Sequence, residues 1–247
     1  MREDTKRFQE KLQHVFDEMS IPVIITEVQA ELFHTFYLDL VEMNQNVNLT
    51  AITEEDEVLI KHFGDSASLV LAVKDLGEKD YKVLDLGTGG GFPGIPLAIL
   101  FPNLKLTLAD SLNKRILFIQ KEAEKLGLNN ITAIHGRAED LAKNTVYREK
   151  FDLCVSRAVA NLSTLSEYCI PFIHNDGFFI PYKSGNIEEE MRSAQNALKI
   201  LGARFENVCN YSLPSGSGDR SLIMIRKIRS TGTKYPRKAG TPSRSPL

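Results

Sequence analysis

The chain has 247 residues, enough for one sizeable domain with extensions, and its 43% hydrophobic and 25% charged residues are ordinary for a globular protein. Its longest apolar run, from Ile95 to Phe101, contains a proline and is far too short to cross a bilayer, and no secretory signal is visible. Three scattered cysteines form neither a metal-binding spacing nor an even disulfide set, so we expect a cytoplasmic protein without a metal site.

The net charge of −2 hides an asymmetry between the C-terminal end and the rest of the chain. Seven lysines or arginines and no acid lie between Arg226 and Leu247, which leaves 23 basic and 32 acidic residues elsewhere. A basic segment rich in Pro, Gly, Ser and Thr is expected to be disordered alone, so we predict a disordered tail over residues 229–247. Composition leaves open whether this tail binds phosphate groups or only aids solubility.

The first 75 residues carry the pattern of helices and predict a helical extension over residues 1–75. Apolar residues at helical spacing predict a first helix: Phe8, Leu12, Val15, Phe16 and Met19. Thr26 and Gln29 resemble a capping box at the start of a second helix. Thr53, which precedes three acids, is predicted to start another helix.

From residue 76 to residue 228, predicted strands and helices alternate, which is typical of a parallel sheet covered on both faces. The predicted strands are Lys82–Leu86, Lys105–Ala109, Ile131–His135, Phe151–Ser156, Gly177–Tyr182, Arg204–Tyr211 and Ser221–Ile228. The predicted helices are Ile95–Phe101, Asn113–Leu126, Leu162–Cys169 and Ile187–Leu201. The last two strands form a hairpin signal. Such a pair at the end favours the α/β fold of class I S-adenosylmethionine-dependent methyltransferases, with a mostly parallel, Rossmann-like seven-stranded sheet and an antiparallel last strand.

A glycine-rich loop follows the first predicted strand and is the strongest functional signal in the chain. The segment from Val83 to Gly94 contains five glycines, which let a ligand approach the backbone closely. The same spacing fits a dinucleotide-binding loop, so that alternative stays open. Pro93 and Pro96 leave few N–H groups for a pyrophosphate, whereas S-adenosylmethionine has no phosphate. Asp85, just before the loop, is predicted to contact the amino-acid part of the cofactor.

Three further strand ends carry polar residues at the edge where ligands bind in α/β sheets. Asp110 ends the second strand, and a carboxylate there can accept both ribose hydroxyls of either cofactor class; the alternative is a turn acid. After the third strand, Glu139 is either a ligand for adenine or the start of a helical turn. Arg157 closes the fourth strand beside the expected site, although an arginine at a strand end is usually only solvated.

Basic residues on neighbouring edges of the sheet suggest a partner rich in phosphate. Lys183 follows the fifth strand and Arg220 precedes the last one; each also fits a simple surface charge. His62 and Asp65 invite a catalytic interpretation, but a histidine at a helix end is more often solvated or packed. We therefore assign His62 no acid–base role.

With these residues in view, the chain closely resembles the glucose-inhibited division protein B family, the bacterial 16S rRNA guanine-N7 methyltransferases. The resemblance runs from about Phe36 to Ile228 and extends to the tail, which is similar to that of many Gram-positive members. The motifs that carry it are Asn48-Leu49-Thr50-Ala51-Ile52, Lys61-His62 through Asp65-Ser66, Leu84-Asp85-Leu86-Gly87-Thr88-Gly89, Phe92-Pro93-Gly94-Ile95-Pro96-Leu97, Asp110-Ser111-Leu112 with Lys114-Arg115, Ser156-Arg157-Ala158 and Asp219-Arg220.

The resemblance implies methyl transfer from S-adenosylmethionine to N7 of one guanine in 16S rRNA. It implies that Gly87 and Phe92 line the methionine end of the cofactor site, that Asp110 holds the ribose, and that Glu139 holds the adenine. The expected cofactor-binding residues are Asp85, Gly87, Gly89, Phe92, Asp110, Ala138, Glu139 and Arg157. The expected catalytic residues, at the target base or the RNA, are Arg157, Lys183 and Arg220.

The expected partner is 16S rRNA or the small ribosomal subunit, with no membrane partner, and the enzyme is expected to be a monomer. Guanine N7 carries a lone pair and no proton, which suits a chain without an obvious general base. Two other activities stay open at this point. A small-molecule methyltransferase would share the glycine loop without needing the basic tail, and a dinucleotide-dependent oxidoreductase would bind NAD.

Overall fold

The computed structural model describes residues 3–157 and 160–247. Ala158, the last residue of the Ser156-Arg157-Ala158 motif, lies outside the described residues. Within the described ranges, no helix combines the length and the apolar character that crossing a membrane requires.

The N-terminal part is helical, as predicted. It consists of α1 (Glu3–Glu18), α2 (Glu27–Val47), α3 (Glu55–Val58), a π-helical segment (Leu59–Gly64), α4 (Asp65–Ala67) and α5 (Leu69–Ala72). The capping box is confirmed, because Gln29 N donates to Thr26 Oγ1 at 3.2 Å and Thr26 N donates to Gln29 Oε1 at 3.1 Å. The predicted helix start at Thr53 is wrong by one residue: Glu54 is the N-cap of α3, without a capping side chain.

The helices of the N-terminal part share one apolar core with the sheet. The ring of Phe63 lies at its centre, with ring centroids of Phe33, Phe36 and Phe8 at 4.9, 5.7 and 6.4 Å. The same cluster of buried residues continues to Ile180 on a strand. Burying each such side chain contributes about 1.5–3 kcal/mol, so these helices are held firmly on one face of the sheet.

The strands of the described residues form one seven-stranded sheet in the order β3-β2-β1-β4-β5-β7-β6. They are β1 (Lys82–Leu86), β2 (Lys105–Asp110), β3 (Ile131–His135), β4 (Phe151–Ser156), β5 (Ile173–Ser184), β6 (Ala203–Leu213) and β7 (Gly218–Lys227). The first five pair in parallel, and β7 runs antiparallel to both β5 and β6. This confirms the predicted fold class.

Helices cover both faces of the sheet. The remaining helices are α6 (Gly94–Leu100), α7 (Asn113–Lys125), α8 (Ala138–Leu141), α9 (Leu162–Cys169), α10 (Glu188–Leu201) and α11 (Thr241–Arg244), with a 3₁₀ turn at Ile170–Phe172. Apolar residues of α6 and α7 belong to the core that includes the N-terminal helices, whereas those of α9 and α10 form a second core on the opposite face. The crossovers bring the ends of β1, β2, β3 and β4 to one edge.

The C-terminal segment, residues 229–247, differs from the expectation of a disordered tail. Arg148 donates to the carbonyl oxygens of Thr231 at 2.8 Å and Tyr235 at 2.9 Å, and the Tyr235 side chain belongs to the second core. Arg237 pairs with Glu167 at 2.7 Å. Composition alone missed this packing because the partners of the segment lie far away in the chain.

Candidate active site

A cavity of about 640 Å³ opens at the carboxyl edge of the sheet. That volume is typical of sites for small molecules and cofactors. Its wall is built from the segments that follow β1, β2, β3 and β4, together with residues of the N-terminal helices and of α9. The lining residues are Leu49, Thr50, His62, Leu86, Gly87, Thr88, Gly89, Gly90, Phe92, Ala109, Asp110, Ser111, Arg115, Gly136, Arg137, Ala138, Glu139, Ser156, Arg157, Leu165 and Tyr168.

The glycine loop after β1 presents bare backbone to this cavity. Gly87 and Gly89 have φ values of 76° and 61°, a region that side chains rarely adopt. Gly87 N donates to Ala109 O at 2.8 Å, which ties the loop to the end of β2. A Cβ atom added at Gly89 would meet no heavy atom within 4 Å, so space remains there for a ligand.

Asp85 lies behind the loop and does not line the cavity, which differs from its predicted contact with the cofactor. Its fully buried carboxylate accepts from Thr88 Oγ1 at 2.7 Å and from Gly94 N at 2.9 Å. The other oxygen, Oδ1, has no hydrogen-bond partner among the described residues. Burial raises the pKa of Asp85 to about 7, against the lowering effect of these two donors. The structure therefore gives Asp85 the role of holding both ends of the loop.

Asp110 lies in the cavity wall, as predicted, and it also orders its surroundings. Its Oδ2 accepts from Gly89 N at 3.0 Å and Arg115 Nη1 at 3.3 Å, and its Oδ1 accepts from Leu112 N at 2.9 Å. A carboxylate offers about four acceptor positions, so acceptor capacity remains for a ligand hydroxyl. Arg115 Nε is buried in the same wall without a partner among the described residues, a donor that a bound ligand can satisfy.

Ala138 and Glu139 line the cavity at the start of the short helix α8, where Ala138 packs against the second core. The buried Glu139 accepts a hydrogen bond from Gly240 N at 3.0 Å, a contact with the C-terminal segment. Glu139 thus lies in the first turn of α8 and lines the cavity, while its contact with adenine stays a prediction.

Arg157 fastens the end of β4 to the N-terminal helices. Its Nε lies 3.3 Å from Asp65 Oδ2, its Nη1 donates to Ser66 Oγ at 3.0 Å and its Nη2 donates to Lys61 O at 2.9 Å. Further bonds run to the carbonyl oxygen and ring of His62. Arg157 lines the cavity as expected, but each guanidinium nitrogen already has an acceptor. The structure thus gives it a positioning role instead of a free donor for the target base.

Thr50, His62 and Phe92 form a connected unit beside Arg157. Arg157 Nη2 donates to His62 Nδ1 at 3.4 Å, so we assign the ring proton to Nε2, which donates to Thr50 Oγ1 at 2.7 Å. Burial and the charges of Arg157 and Lys61 lower the pKa of His62 to about 3. The imidazole is therefore neutral at pH 7, with both nitrogens occupied. This geometry leaves His62 no free ring nitrogen for acid–base chemistry.

The ring of Phe92 packs flat against His62. Their centroids are 4.4 Å apart with an interplanar angle of 20°, and Arg157 Cζ lies 5.8 Å from the Phe92 centroid. Phe92 also contacts Phe36, with centroids 5.4 Å apart. It lines the cavity where the glycine loop meets the N-terminal helices, so it joins the two parts of the wall.

Lys183 and Arg220 are not in the cavity wall. Lys183 Nζ donates to Ala160 O at 2.7 Å and Glu190 Oε1 at 2.8 Å, and its side chain is only 9% exposed. Arg220 Nη1 donates to Asp219 O at 3.0 Å, while its Nε lies 4.0 Å from Asp65 Oδ1. Neither side chain is therefore placed as the sequence expected of a catalytic residue.

Several wall residues had no role in the sequence interpretation: Thr50, Arg115, Arg137, Leu165 and Tyr168. Thr50 and Arg115 lie within motifs that the sequence analysis gives, and Arg137 directly precedes the expected site residues Ala138 and Glu139. Leu165 and Tyr168 belong to α9, whose amphipathic pattern showed only a helix. A signal for them was missing because their place at the site depends on how α9 packs.

The fold and the cavity together define a class I S-adenosylmethionine-dependent methyltransferase. Solved structures support the fold: a mutant of MtNAS in complex with S-adenosylmethionine has a TM-score of 0.53 at 15% identity, covering 92% of this chain and 89% of that one. A putative transferase from Pyrococcus horikoshii has a TM-score of 0.52 at 11% identity, covering 67% and 64%.

Sequence comparison then identifies the family. Residues 29–222 match the family described as GidB, rRNA small subunit methyltransferase G, and the chain belongs to this family. Two relatives bear the name ribosomal RNA small subunit methyltransferase G. The protein of Thermoanaerobacter sp. (strain X514) is 50% identical, and that of Lactobacillus helveticus (strain DPC 4571) is 44% identical; each alignment covers 91% of this chain and 93% of the relative. The resemblance noted in the sequence is confirmed.

Proposed function

We propose that this protein transfers a methyl group from S-adenosylmethionine to N7 of a guanine in 16S rRNA, free or within the small ribosomal subunit, in the cytoplasm. Family membership over residues 29–222 supports small-subunit rRNA as the substrate. The observation that favours N7 is the state of His62: neutral at pH 7, with both ring nitrogens in hydrogen bonds. An acceptor atom that must lose a proton would need a free base there.

Guanine N7 needs no such base. When bound, S-adenosylmethionine supplies an electrophilic methyl group on a positively charged sulfur. The protein then has mainly to align the acceptor, and alignment alone can lower a barrier by several kcal/mol. We assign the cofactor to the wall formed by Gly87, Gly89, Asp110, Ala138 and Glu139. This placement leaves the wall of Thr50, His62 and Phe92 for the acceptor base.

We assign Thr50 to the recognition of the base. Its Oγ1 accepts from His62 Nε2–H at 2.7 Å and from Ile52 N at 3.0 Å, so its own hydrogen is left to be donated. Guanine carries the acceptor O6 next to N7 on the same edge. A hydrogen bond from Thr50 to O6 would therefore fix N7 in position and distinguish guanine from adenine, which has a donor there.

The RNA must present this edge outside a regular duplex. In A-form RNA the major groove is deep and narrow, so N7 of a paired guanine is out of reach of a side chain. The target base is therefore unpaired or flipped outward, as in other enzymes that modify bases. Arg137 is exposed, lines the cavity and has no ion pair among the described residues, so we assign it to a phosphate near the target.

The direct test is chemical cleavage at N7-methylguanine in 16S rRNA from a strain that lacks this chain. We expect one cleavage site present in the parent strain to disappear, and to return when the gene is restored. Restoration with an Arg157→Lys variant serves as the control for activity, because the charge is kept while the ammonium group cannot contact all the acceptors of Arg157, and we expect the cleavage site not to return. An unchanged pattern in the deletion strain would contradict the proposed reaction.

A further inference from the structure

The C-terminal segment, residues 229–247, is anchored on α9 by a buried ion pair. Arg237 Nε donates to Glu167 Oε1 at 3.0 Å and Nη2 donates to Oε2 at 2.7 Å, and the Arg237 backbone N–H adds a bond of 2.7 Å. The side chain of Glu167 is 0% exposed. A buried carboxylate without its partner is strongly destabilising. The observed position of α9 therefore depends on this contact.

One more contact extends the attachment along α9: Thr164 Oγ1 donates to Pro242 O at 3.0 Å in a buried position. Within the segment itself, Arg237 Nη2 donates to Ser245 O at 2.8 Å. Before these, Tyr235 enters the second core. Residues before and after Arg237 therefore pack against the rest of the protein. This is what we expect of an integral part of the fold and not of an extended RNA-binding tail.

The segment also reaches the cavity. Gly240 N donates to Glu139 Oε1 at 3.0 Å, and no other hydrogen bond to the Glu139 side chain exists among the described residues. The helix α9 contributes Leu165 and Tyr168 to the same wall, while Thr164 and Glu167 bind the segment. The segment of residues 229–247 therefore contacts both α8 and α9, which form one side of the cavity.

We propose that residues 229–247 are a structural part of the S-adenosylmethionine site, which hold Glu139 and α9 in their binding positions. This inference rests on the proposed placement of the cofactor against Glu139. It assigns the segment a purpose different from the attraction of RNA phosphates that its charge suggests. Arg237 is a positioning residue, because it acts on the cavity through Glu167 and Gly240.

Two neighbouring cations distinguish a role in supporting the cofactor site from a role in attracting RNA phosphates. Arg237 and Lys238 are adjacent and each carries one positive charge, but Arg237 pairs with Glu167 of α9, whereas Lys238 is exposed and has no ion pair among the described residues. An RNA-binding arm would lose similar affinity with either charge. A support for the cofactor site would respond to Arg237 alone.

The experiment measures the Kd for S-adenosylmethionine by calorimetry, without RNA, on the full-length protein and its Arg237→Ala and Lys238→Ala variants. We expect Arg237→Ala to raise the Kd about tenfold or more, since the binding-competent state is then only a small fraction of the population. Lys238→Ala should stay within about twofold of the parent protein. Arg237→Lys keeps the charge without the two-pronged contact and should fall between them.

Thr164→Val keeps the experiment decisive if Arg237→Ala does not fold. It removes the bond to Pro242 O from a well-packed site and should raise the Kd about threefold. Equal affinities in the parent, Arg237→Lys and Thr164→Val proteins would overturn the inference while the proposed reaction stands. A parent protein that binds no S-adenosylmethionine would instead contradict the cofactor placement itself.

Discussion

The two halves of the cavity are built in different ways. The glycine-loop half, which comprises Gly87, Gly89, Asp110 and Glu139, consists of backbone N–H groups and carboxylates at successive strand ends. The histidine half, which comprises Thr50, His62 and Arg157, consists of side chains from separate elements that hold one another. The first half depends on the sheet, whereas the second depends on one arginine. Their sensitivities to mutation should differ accordingly.

The largest effect is expected for Arg157→Met, which removes the hydrogen bonds from the residue after β4 to Lys61, His62 and Ser66. It also removes the nearest cation from the buried Asp65, which keeps only the hydroxyl of Tyr211 at 2.7 Å and the more distant Arg220, and the loss of a buried charge partner costs up to about 3–5 kcal/mol of unfolding free energy. Denaturant unfolding checks this value. Methylation of 16S rRNA should be lost as well. Arg157→Lys should also be inactive, because an ammonium group cannot contact all of these acceptors; full activity of this variant would show that the histidine half tolerates disorder.

The two halves should also respond oppositely to pH. The pKa of Asp85 in the folded protein, about 7, lies above its usual 3.8. The contribution of protonated Asp85 to the free energy of unfolding is therefore fully present below pH 4 and is lost as pH rises toward 7. Over three pH units this amounts to about 4 kcal/mol. In urea unfolding, Asp85→Asn should gain stability relative to the parent protein between pH 4 and 7. Parallel curves for both proteins would refute the titration of Asp85 in this range.

The pKa of His62 is shifted the other way, to about 3 from its usual 6.5. Its contribution to stability is therefore present above pH 6.5 and is lost as pH falls toward 3. A His62→Gln variant should lose less stability on acidification than the parent protein, as measured by urea unfolding at pH 4 and 7. The Asp85→Asn protein is the matched control, since its His62 remains and should titrate normally.

A smaller effect is expected where a single hydroxyl is removed from the histidine half. Thr50→Val should lower kcat for rRNA methylation about tenfold, the effect of one lost hydrogen bond to the base. The Kd for S-adenosylmethionine should not change, because the glycine-loop half is intact. Thr50→Ser retains the donor and should recover most of the rate. A loss of cofactor affinity in Thr50→Val would show that the two halves are not independent.

The smallest effect is expected for RNA binding, where an exposed cation without an ion pair should contribute and a cation already paired within the protein should not. Arg137→Ala should weaken RNA binding about threefold. It should also reduce the slope of log K against log salt concentration by about one unit, the effect of one lost phosphate contact. Lys183→Ala should leave that slope unchanged, because Lys183 is already paired with Glu190 and Ala160 O. Filter binding of a 16S rRNA fragment at several salt concentrations measures both. A reduced slope in Lys183→Ala would restore the role that the sequence suggested.

The sheet was largely predictable from the sequence because its signals are local. Glycines and polar residues mark where β1, β3 and β4 end, and the predicted bounds match the structure. The structure extends β5 to Ile173 and Ser184, and it extends β6 and β7 to their turn. The added residues lie at the ends of these strands and are largely polar. They therefore lack the alternation of apolar and polar residues by which a strand is predicted from sequence.

The candidate site was predictable only in its glycine-loop half. Gly87, Gly89, Asp110 and Glu139 line the cavity as expected, since strand ends of a parallel sheet meet at one edge. The partners of Arg157, Lys183 and Arg237 could not be inferred, because they lie elsewhere in the chain and packing alone brings them together. Asp85 was misplaced for a related reason: the sequence shows that it precedes the loop, not which side of the loop it faces.

The bond between Gly240 and Glu139 has a consequence for biosynthesis. Translation proceeds from the N-terminus, and Glu139 is made 101 residues before its partner. The strands, the glycine loop and Asp110 all exist before the segment that supports α8 and α9 is synthesised. A nascent chain can therefore complete its sheet while its methyl-donor site is still unsupported. On the proposed role of residues 229–247, a chain that ends before Arg237 lacks the support of its donor site and leaves the buried Glu167 without its partner, so premature termination should lower both donor affinity and stability.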